Sequence, residues 1–461
     1  MSDDGNDRSR DMLVPFNVRT YRLGIANGIL AVTGSRLVDL NTIVPLLVHR
    51  LSGAAWLVGL VLGLRSVMRM LVEVVAARSL DTRPYKKFAY IWAAVVRGSM
   101  YASIALVLWF GAAIPDTIVL AVVVLALLGY AGALGPASLA FNDILAKSVP
   151  TTRRGSLQMW RKLGALVIIF AGVTPFVAWM IGPEGPFDFP RSFSALFFMA
   201  LVFSAASWIT FSMVDEPKSR SSAHKLTWGQ HLRRGVTLYR SDASYRRVIR
   251  IRLLIGIASA IRPFLIVFAT DVWNLPDEVA ATFLAIQVGA EFLGAAVVGR
   301  ISDRLGNRTA ILVMISALLF CCAAAVMAAS ATWDVPLTIL AWQINLQVIV
   351  LGAAFAGSGV FLASLSIGYM NYLMDIAPED KRPSYMGFST AFTLPLAVAP
   401  VLYGWGADVV GYLPVFITGL VVAIGAMYLF IQLPEPRDEI DDGALADFQR
   451  PPTASDLADE D

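Results

Sequence analysis

Residues 278–330 read EVAATFLAIQVGAEFLGAAVVG, then RISDRLGN, then RTAILVMISALLFCCAAAVMAAS. Two apolar runs flank a short charged turn. Each run is long enough, as a helix, to cross a hydrocarbon core of roughly 30 Å. Lipid offers no water to backbone amides, so such runs must be helical. Working outward from this hairpin, the same pattern repeats along the 461 residues, of which 57% are hydrophobic and 15% charged. The mean hydropathy is +0.65. An average soluble domain carries roughly 25% charged residues.

The pattern predicts an all-α membrane protein of twelve transmembrane helices in two pseudo-symmetric six-helix bundles. The expected spans are 23–48, 54–77, 88–111, 117–146, 157–181 and 192–214 in the first half. In the second half they are 248–271, 278–299, 308–330, one within 337–375, 384–406 and 411–433. The organisation is then a cytoplasmic N-terminal segment (1–22), the first bundle (23–214) and a central connection (215–247). The second bundle (248–433) and an acidic tail (434–461) follow. The connection carries an apolar stripe at Trp228, Leu232 and Val236, read as a helix on the membrane surface. The tail has the composition of a disordered segment.

Charge placement tests the parsing. Most of the 37 basic residues fall on alternate loops, among them Arg78, Arg83, Lys86, Arg153, Arg154, Arg300, Arg304, Arg308, Lys381 and Arg382. The opposite loops hold Arg50 and Arg191 beside acids such as Asp116, Glu184, Asp277 and Glu278. Basic loops stay cytoplasmic, so both termini are expected there and the protein in the cell inner membrane. The first 22 residues are polar and charged, without the pattern of a cleavable signal. Cys321 and Cys322 are adjacent on one helix and predict neither a disulfide nor a metal site.

The halves repeat at a nearly constant offset. Arg78-Ser79-Leu80-Asp81 corresponds to Arg300-Ile301-Ser302-Asp303, Pro150 through Arg154 to Pro378 through Arg382, and Glu216-Pro217-Lys218 to Glu435-Pro436-Arg437. Parallel repeats of this kind build transporters whose binding site lies between the halves. The turn Gly299-Arg300-Ile301-Ser302-Asp303-Arg304-Leu305-Gly306-Asn307-Arg308 resembles the signature loop of the major facilitator superfamily, and the resemblance extends over about residues 20–435. Gly299 is expected to let its helix end approach a neighbour, Gly306 to permit the tight turn, and Asp303 to accept from a helix N-terminus. Arg304 and Arg308 would hold the loop at the cytoplasm. The first-half copy, from Asp81 to Lys87, lacks both glycines. The resemblance implies that spans 1, 2, 4, 5, 7, 8, 10 and 11 line a cavity, while 3, 6, 9 and 12 face lipid. The glycine-rich stretch of the family's drug antiporters is not matched by Gly164, Gly172 and Pro175.

A charge at mid-span costs about 2.5–3.5 kcal/mol on insertion scales, so it marks a site or a pair. Arg36 and Asp39 stand three apart in span 1 and read as one helix face, either a neutralising pair or an anion site tuned by a carboxylate. Arg65, Arg69 and Glu73 form a stripe in span 2, with Glu73 expected to pair with Arg69 and Arg65 left least compensated. Arg97 is a mid-span charge without an identified partner. Arg262 precedes Pro263 in span 7. Gln287 and Glu291 stand four apart in span 8, at the offset of Arg65 and Arg69. Substrate contact is assigned to Arg36, Arg65, Arg262 and Gln287, and proton coupling to Glu291 and Asp39, with a pair between Glu291 and either Arg36 or Arg262 as the static alternative. Gating is assigned to Gly299, Asp303, Arg304, Gly306 and Arg308. The further gating residues are Asp81, Asp143, Arg154, Asp375 and Arg382, with the acids near the ends of spans 4 and 10 contacting Arg153, Arg154 or Arg382.

These readings predict a proton-coupled secondary transporter, acting as a monomer in the bilayer on a small, anionic organic solute. A drug or metabolite efflux antiporter, or a receptor or scaffold on the same fold, is the alternative. Only His49, His224 and His231 are present, and no metal spacing, nucleophile triad or phosphate-binding loop occurs. No catalytic residue, cofactor, metal or nucleic-acid partner is therefore expected.

Overall fold

The computed structural model describes residues 17–80, 83–149, 151–218, 237, 239–331, 336–339, 342–377, 385, 388–389 and 392–433. The expected surface helix around Trp228 and the acidic tail lie outside them.

The first half runs α1 (Val18–Arg36), α2 (Ile43–Ser52), α3 (Ala55–Leu80), α4 (Lys87–Trp109), α5 (Asp116–Ser148), α6 (Thr151–Ile168), α7 (Thr174–Ile181) and α8 (Arg191–Ser212). The second runs α9 (Ala243–Ser259), α10 (Pro263–Asp271), α11 (Val279–Leu305), α12 (Asn307–Ser330), α13 (Leu346–Ser364), α14 (Met370–Ile376), α15 (Ala399–Val410) and α16 (Tyr412–Ile431). Among the described residues, nine helices are long and apolar enough to cross a bilayer. The expected first span is cut into α1 and α2. The second, α3, is long enough but carries Arg65, Arg69, Glu73 and Arg78. The eleventh is described only in part.

Span 1 is not the continuous helix that its apolar pattern predicts. Residues 37–42 form turns, organised by Asp39. Its carboxylate accepts from the Asn41 amide (2.8 Å) and the Thr42 hydroxyl (3.3 Å), and its carbonyl accepts from the Val44 amide (3.0 Å). A short acidic side chain thereby competes with the helical hydrogen-bond ladder. Arg36 and Asp39 are consequently joined across a break, not along one helix face. Span 7 breaks at the matching place, between α9 and α10, where Pro263 lacks the N–H needed to continue the helix.

Spans 5 and 10 contain single π-turns, at Ile169–Val173 and Leu365–Tyr369. Such turns widen a helix locally and often accompany function. The region before α13 also departs from expectation. It begins with an antiparallel hairpin of β1 (Pro336–Ile339) and β2 (Trp342–Asn345), with Pro336 opposite Asn345 and Ile339 opposite Trp342.

Glycines set the closest helix contacts. A Cβ on Gly135 of α5 would strike the backbone of Arg69 and Glu73 on α3, and one on Gly359 of α13 would strike Gln287 and Glu291 on α11. Small residues let helix backbones approach in lipid, where no hydrophobic drive joins helices. These two contacts pair Gln287 with Arg69 and Glu291 with Glu73. They shift by one turn the correspondence of Gln287 with Arg65 read from sequence.

The halves meet tightly at one end. Gly59 and Gly63 of α3 abut the backbone of Pro400 and Ala397, and Gly404 of α15 abuts Ala55 and Trp56. Asp408 accepts from the Ala55 and Trp56 amides at 2.9 and 2.8 Å, capping α3 from the other half. Arg50 bonds Asp277 at 2.8 Å, and His49 lies 3.6 Å from Asp271. The short helices α2 and α10 touch each other here and bury almost every residue.

Candidate functional site

The paired breaks bring charged groups to the middle of the bundle. Arg36, the last residue of α1, donates through Nη1 to Asp39 at 3.0 Å and through Nη2 to Glu291 at 2.5 Å. The second bond joins the two halves. Its side chains are 16% and 20% exposed, so the charges are shielded from bulk water without being sealed. A guanidinium between two carboxylates uses its fork geometry, which suits carboxylate better than a lysine would. Of the alternatives read from sequence, the structure has the pair with Arg36.

Arg262 stands at the second break. Its Nε donates to the Ser259 carbonyl at 3.0 Å, closing the end of α9. Its guanidinium lies 5.1 Å from the Phe361 ring centre. Its Nη1 is buried and without a hydrogen-bond partner. The Asp39 and Glu291 charges reach Arg262 through space, as does that of Arg252.

Beside the Arg36–Glu291 pair is a small, partly open crevice. It is walled by Val32 and Arg36 of α1, Lys162 and Leu166 of α6, and Glu291 and Phe292 of α11. Val32 lies one turn before Arg36 on α1, and Lys162 one turn before Leu166 on α6.

The other expected site residues distribute as follows. Arg65 is half-buried against the stacked Tyr101 and Tyr130 rings, whose centres are 4.4 Å apart, and it does not join the Arg36 cluster. Arg69 lies 3.7 Å from Glu73, as expected. Gln287 is 0% exposed, and neither its oxygen nor its nitrogen has a partner. It is one turn from Glu291 but walled off from the crevice.

At the opposite end from Arg50, Gly306 adopts φ +88°, as the tight turn requires. Gly299 does not serve close packing: a Cβ there would meet nothing within 4 Å. Asp303 and Arg304 are exposed, and Arg308 lies over the Phe430 ring at 5.2 Å. Asp143 bonds Lys86 at 2.8 Å and Lys147 of its own helix. Lysines lie within reach of its carboxylate because α4 begins beside the end of α5. Asp375 accepts from Asn307 at 2.6 Å. Asp81, Arg382 and the side chain of Arg154 lie outside the described residues.

Sequence reasoning missed Lys162 and Arg252. Helix α9 begins at Ala243, which carries Arg252 into the span. Its guanidinium lies 5.3 Å from the Tyr369 ring, beside the π-turn of span 10. The N-cap pattern Asp242-Ala243-Ser244-Tyr245 was the available signal, with Asp242 accepting from the Tyr245 amide at 2.9 Å.

No family model and no curated protein matches the sequence. Solved structures do. A mutant of the nucleoside transporter NupG is 13% identical, with a TM-score of 0.66 over 89% of this chain and 99% of that one. An inward-facing bacterial homologue of the iron transporter ferroportin is 14% identical, with a TM-score of 0.62 over 91% and 99%. The Escherichia coli fucose:proton symporter FucP is 14% identical, with a TM-score of 0.55 over 90% and 97%. Identities this low speak for architecture alone, and over most of its length this chain has the fold of the major facilitator superfamily of membrane transporters.

Proposed function

We propose that this chain is a secondary active transporter of twelve spans that moves a small anionic organic solute by alternating access, coupled to protons. In this reading 23–214 and 248–433 are the moving halves and 215–247 joins them. Residues 1–22 and 434–461 are cytoplasmic, as the basic loops require. The end tied by Arg50 and Asp277 is then the outer face, and the described conformation is closed toward the outside.

The observation that carries the reading is the Arg36–Glu291 bond, which ties the halves at a helix break beside a partly open crevice. When Glu291 takes a proton it loses its charge, and its hold on Arg36 weakens. Two unit charges 4 Å apart attract by about 4 kcal/mol at an effective dielectric of 20, enough to shift a conformational balance by orders of magnitude. Arg36 is then free to meet an anionic solute. Arg262, Arg252 and Lys162 add positive charge around the two carboxylates, which supports an anion over a cation. The structures with this fold are named for nucleosides, iron and fucose. The fold itself therefore does not select a solute, and one of them is named as a proton symporter.

The test uses proteoliposomes. A thermal-shift screen of carboxylates and sugar phosphates first selects a labelled solute, since binding raises apparent stability. Glu291→Gln is expected to abolish gradient-driven uptake while sparing counterflow exchange. Equal loss of both removes Glu291 from coupling.

A further inference from the structure

Helix α3 has no start signal of its own. The chain leaves α2 through Gly53 and Ala54, with Gly53 at φ +66° closing α2 on the His49 carbonyl at 2.7 Å. Ala54 immediately precedes α3, and its methyl group accepts no hydrogen bond. The Ser52 hydroxyl is already used, donating to the Val48 carbonyl at 2.7 Å and accepting from the Ala54 amide at 3.3 Å. Elsewhere the chain caps locally: Asn17 accepts from amides at the start of α1, Asp242 at that of α9 and Asn345 at that of α13. The first amides of a helix have no partner within it, and alanine is among the poorest residues to supply one.

The missing cap comes from the other half. Asp408 of α15 accepts from the Ala55 amide through Oδ1 at 2.9 Å and from the Trp56 amide through Oδ2 at 2.8 Å. Both carboxylate oxygens are therefore spent on the first two amides of α3. The positive end of the helix dipole favours a carboxylate here, and its charge strengthens both bonds. Gly404, one turn before Asp408, lets α15 come this close, since a Cβ there would strike the Ala55 backbone. Gly59 and Gly63 continue the same seam along α3, against the backbone of Pro400 and Ala397.

Such a cap exists only while the halves touch at this end. Arg50 reaches Asp277 on a long side chain that can follow a small displacement. Backbone amides held in a helix cannot follow one.

We propose that Asp408 is the latch of this end, a positioning residue that completes α3 when the halves close and leaves it uncapped when they part. The inference rests on the alternating-access reading and adds to it the residue that sets the balance between closed and open. A cap of this kind is worth about a fivefold shift in an equilibrium. Asp408 is exposed, so truncating it leaves no buried cavity.

Full-length protein in lipid nanodiscs would carry spin labels at Glu184→Cys and Ala331→Cys, exposed positions of the two halves at this end. Cys321 and Cys322 are 0% exposed and stay unlabelled. Pulsed electron resonance is expected to read a short and a long distance, closed and open. Asp408→Ala raises the ratio of long to short about fivefold, and Asp408→Asn, which keeps one acceptor, falls between. Ala54→Asp gives α3 a cap of its own and raises the ratio without touching Asp408, a response that a merely structural role for Asp408 would not produce. The double variant Ala54→Asp, Asp408→Ala goes no further than the larger single change. Two distances whose ratio ignores Asp408→Ala or Ala54→Asp overturn the proposal and leave alternating access standing. A single distance in wild type and every variant overturns both. Should Asp408→Ala not fold, Ala54→Asp decides alone.

Discussion

Arg36 and Arg262 occupy matching breaks in the first helix of each half, and their surroundings are opposite. Arg36 is held by two carboxylates, one local and one from the other half. Arg262 has a carbonyl, a phenyl ring and one unused N–H. The backbone device is the same, while the charge compensation differs. In the proposed cycle Arg36 is therefore the latch and Arg262 the standing attraction for an anion. The difference teaches that a repeated fold can divide two tasks between equivalent positions by moving acids, not cations.

Substitutions can break this contrast. The largest effect is expected for Arg36→Gln, which strands Asp39 and Glu291 together. Removing one partner of a buried pair costs about 3 kcal/mol, so Tm should fall sharply and transport should stop. Adding Glu291→Gln should recover a good part of the lost Tm. If the double variant is no more stable than the single, the pair does not couple the halves.

A smaller loss is expected for Asp39→Asn. It keeps the size but weakens the hydrogen bonds that shape the break, worth about 1–2 kcal/mol. Hydrogen exchange at residues 40–44 should quicken, with amides elsewhere unchanged. Protection equal to wild type would show that Asp39 does not organise the turn.

The smallest effect on stability belongs to Arg262→Gln. No carboxylate loses a bonded partner, so Tm should hold or rise slightly. Solute affinity should nevertheless fall about tenfold, equivalent to 1.4 kcal/mol, read by equilibrium binding. A large drop in Tm with affinity intact would invert the roles given to the two arginines.

Much of this was legible from residues. Spanning runs and the Gly306 turn follow from length and residue type, and Arg36 is one of the two partners that the scarcity of buried acids offers for Glu291. The break in span 1 was not legible, because Leu37, Val38 and Leu40 continue the apolar run among the polar Arg36, Asp39, Asn41 and Thr42. The partner of Arg97 was missed because the search was for acids, and the contacts are aromatic rings. Gly299 misled because a glycine at a helix end is read as close packing, which holds only where a neighbouring helix is present.

The two short helices α2 and α10 lie at the end tied by Arg50 and Asp277, and their buried side chains are apolar. Reversing the molecule would wet Ile43, Leu46, Leu47, Phe264, Leu265 and Phe268, at about 25 cal/mol for each Å² exposed. That step carries a positive heat-capacity change, and the attraction between apolar surfaces weakens on cooling. In the proposed cycle temperature would therefore bias the resting posture, with cold favouring the face that warmth keeps shut.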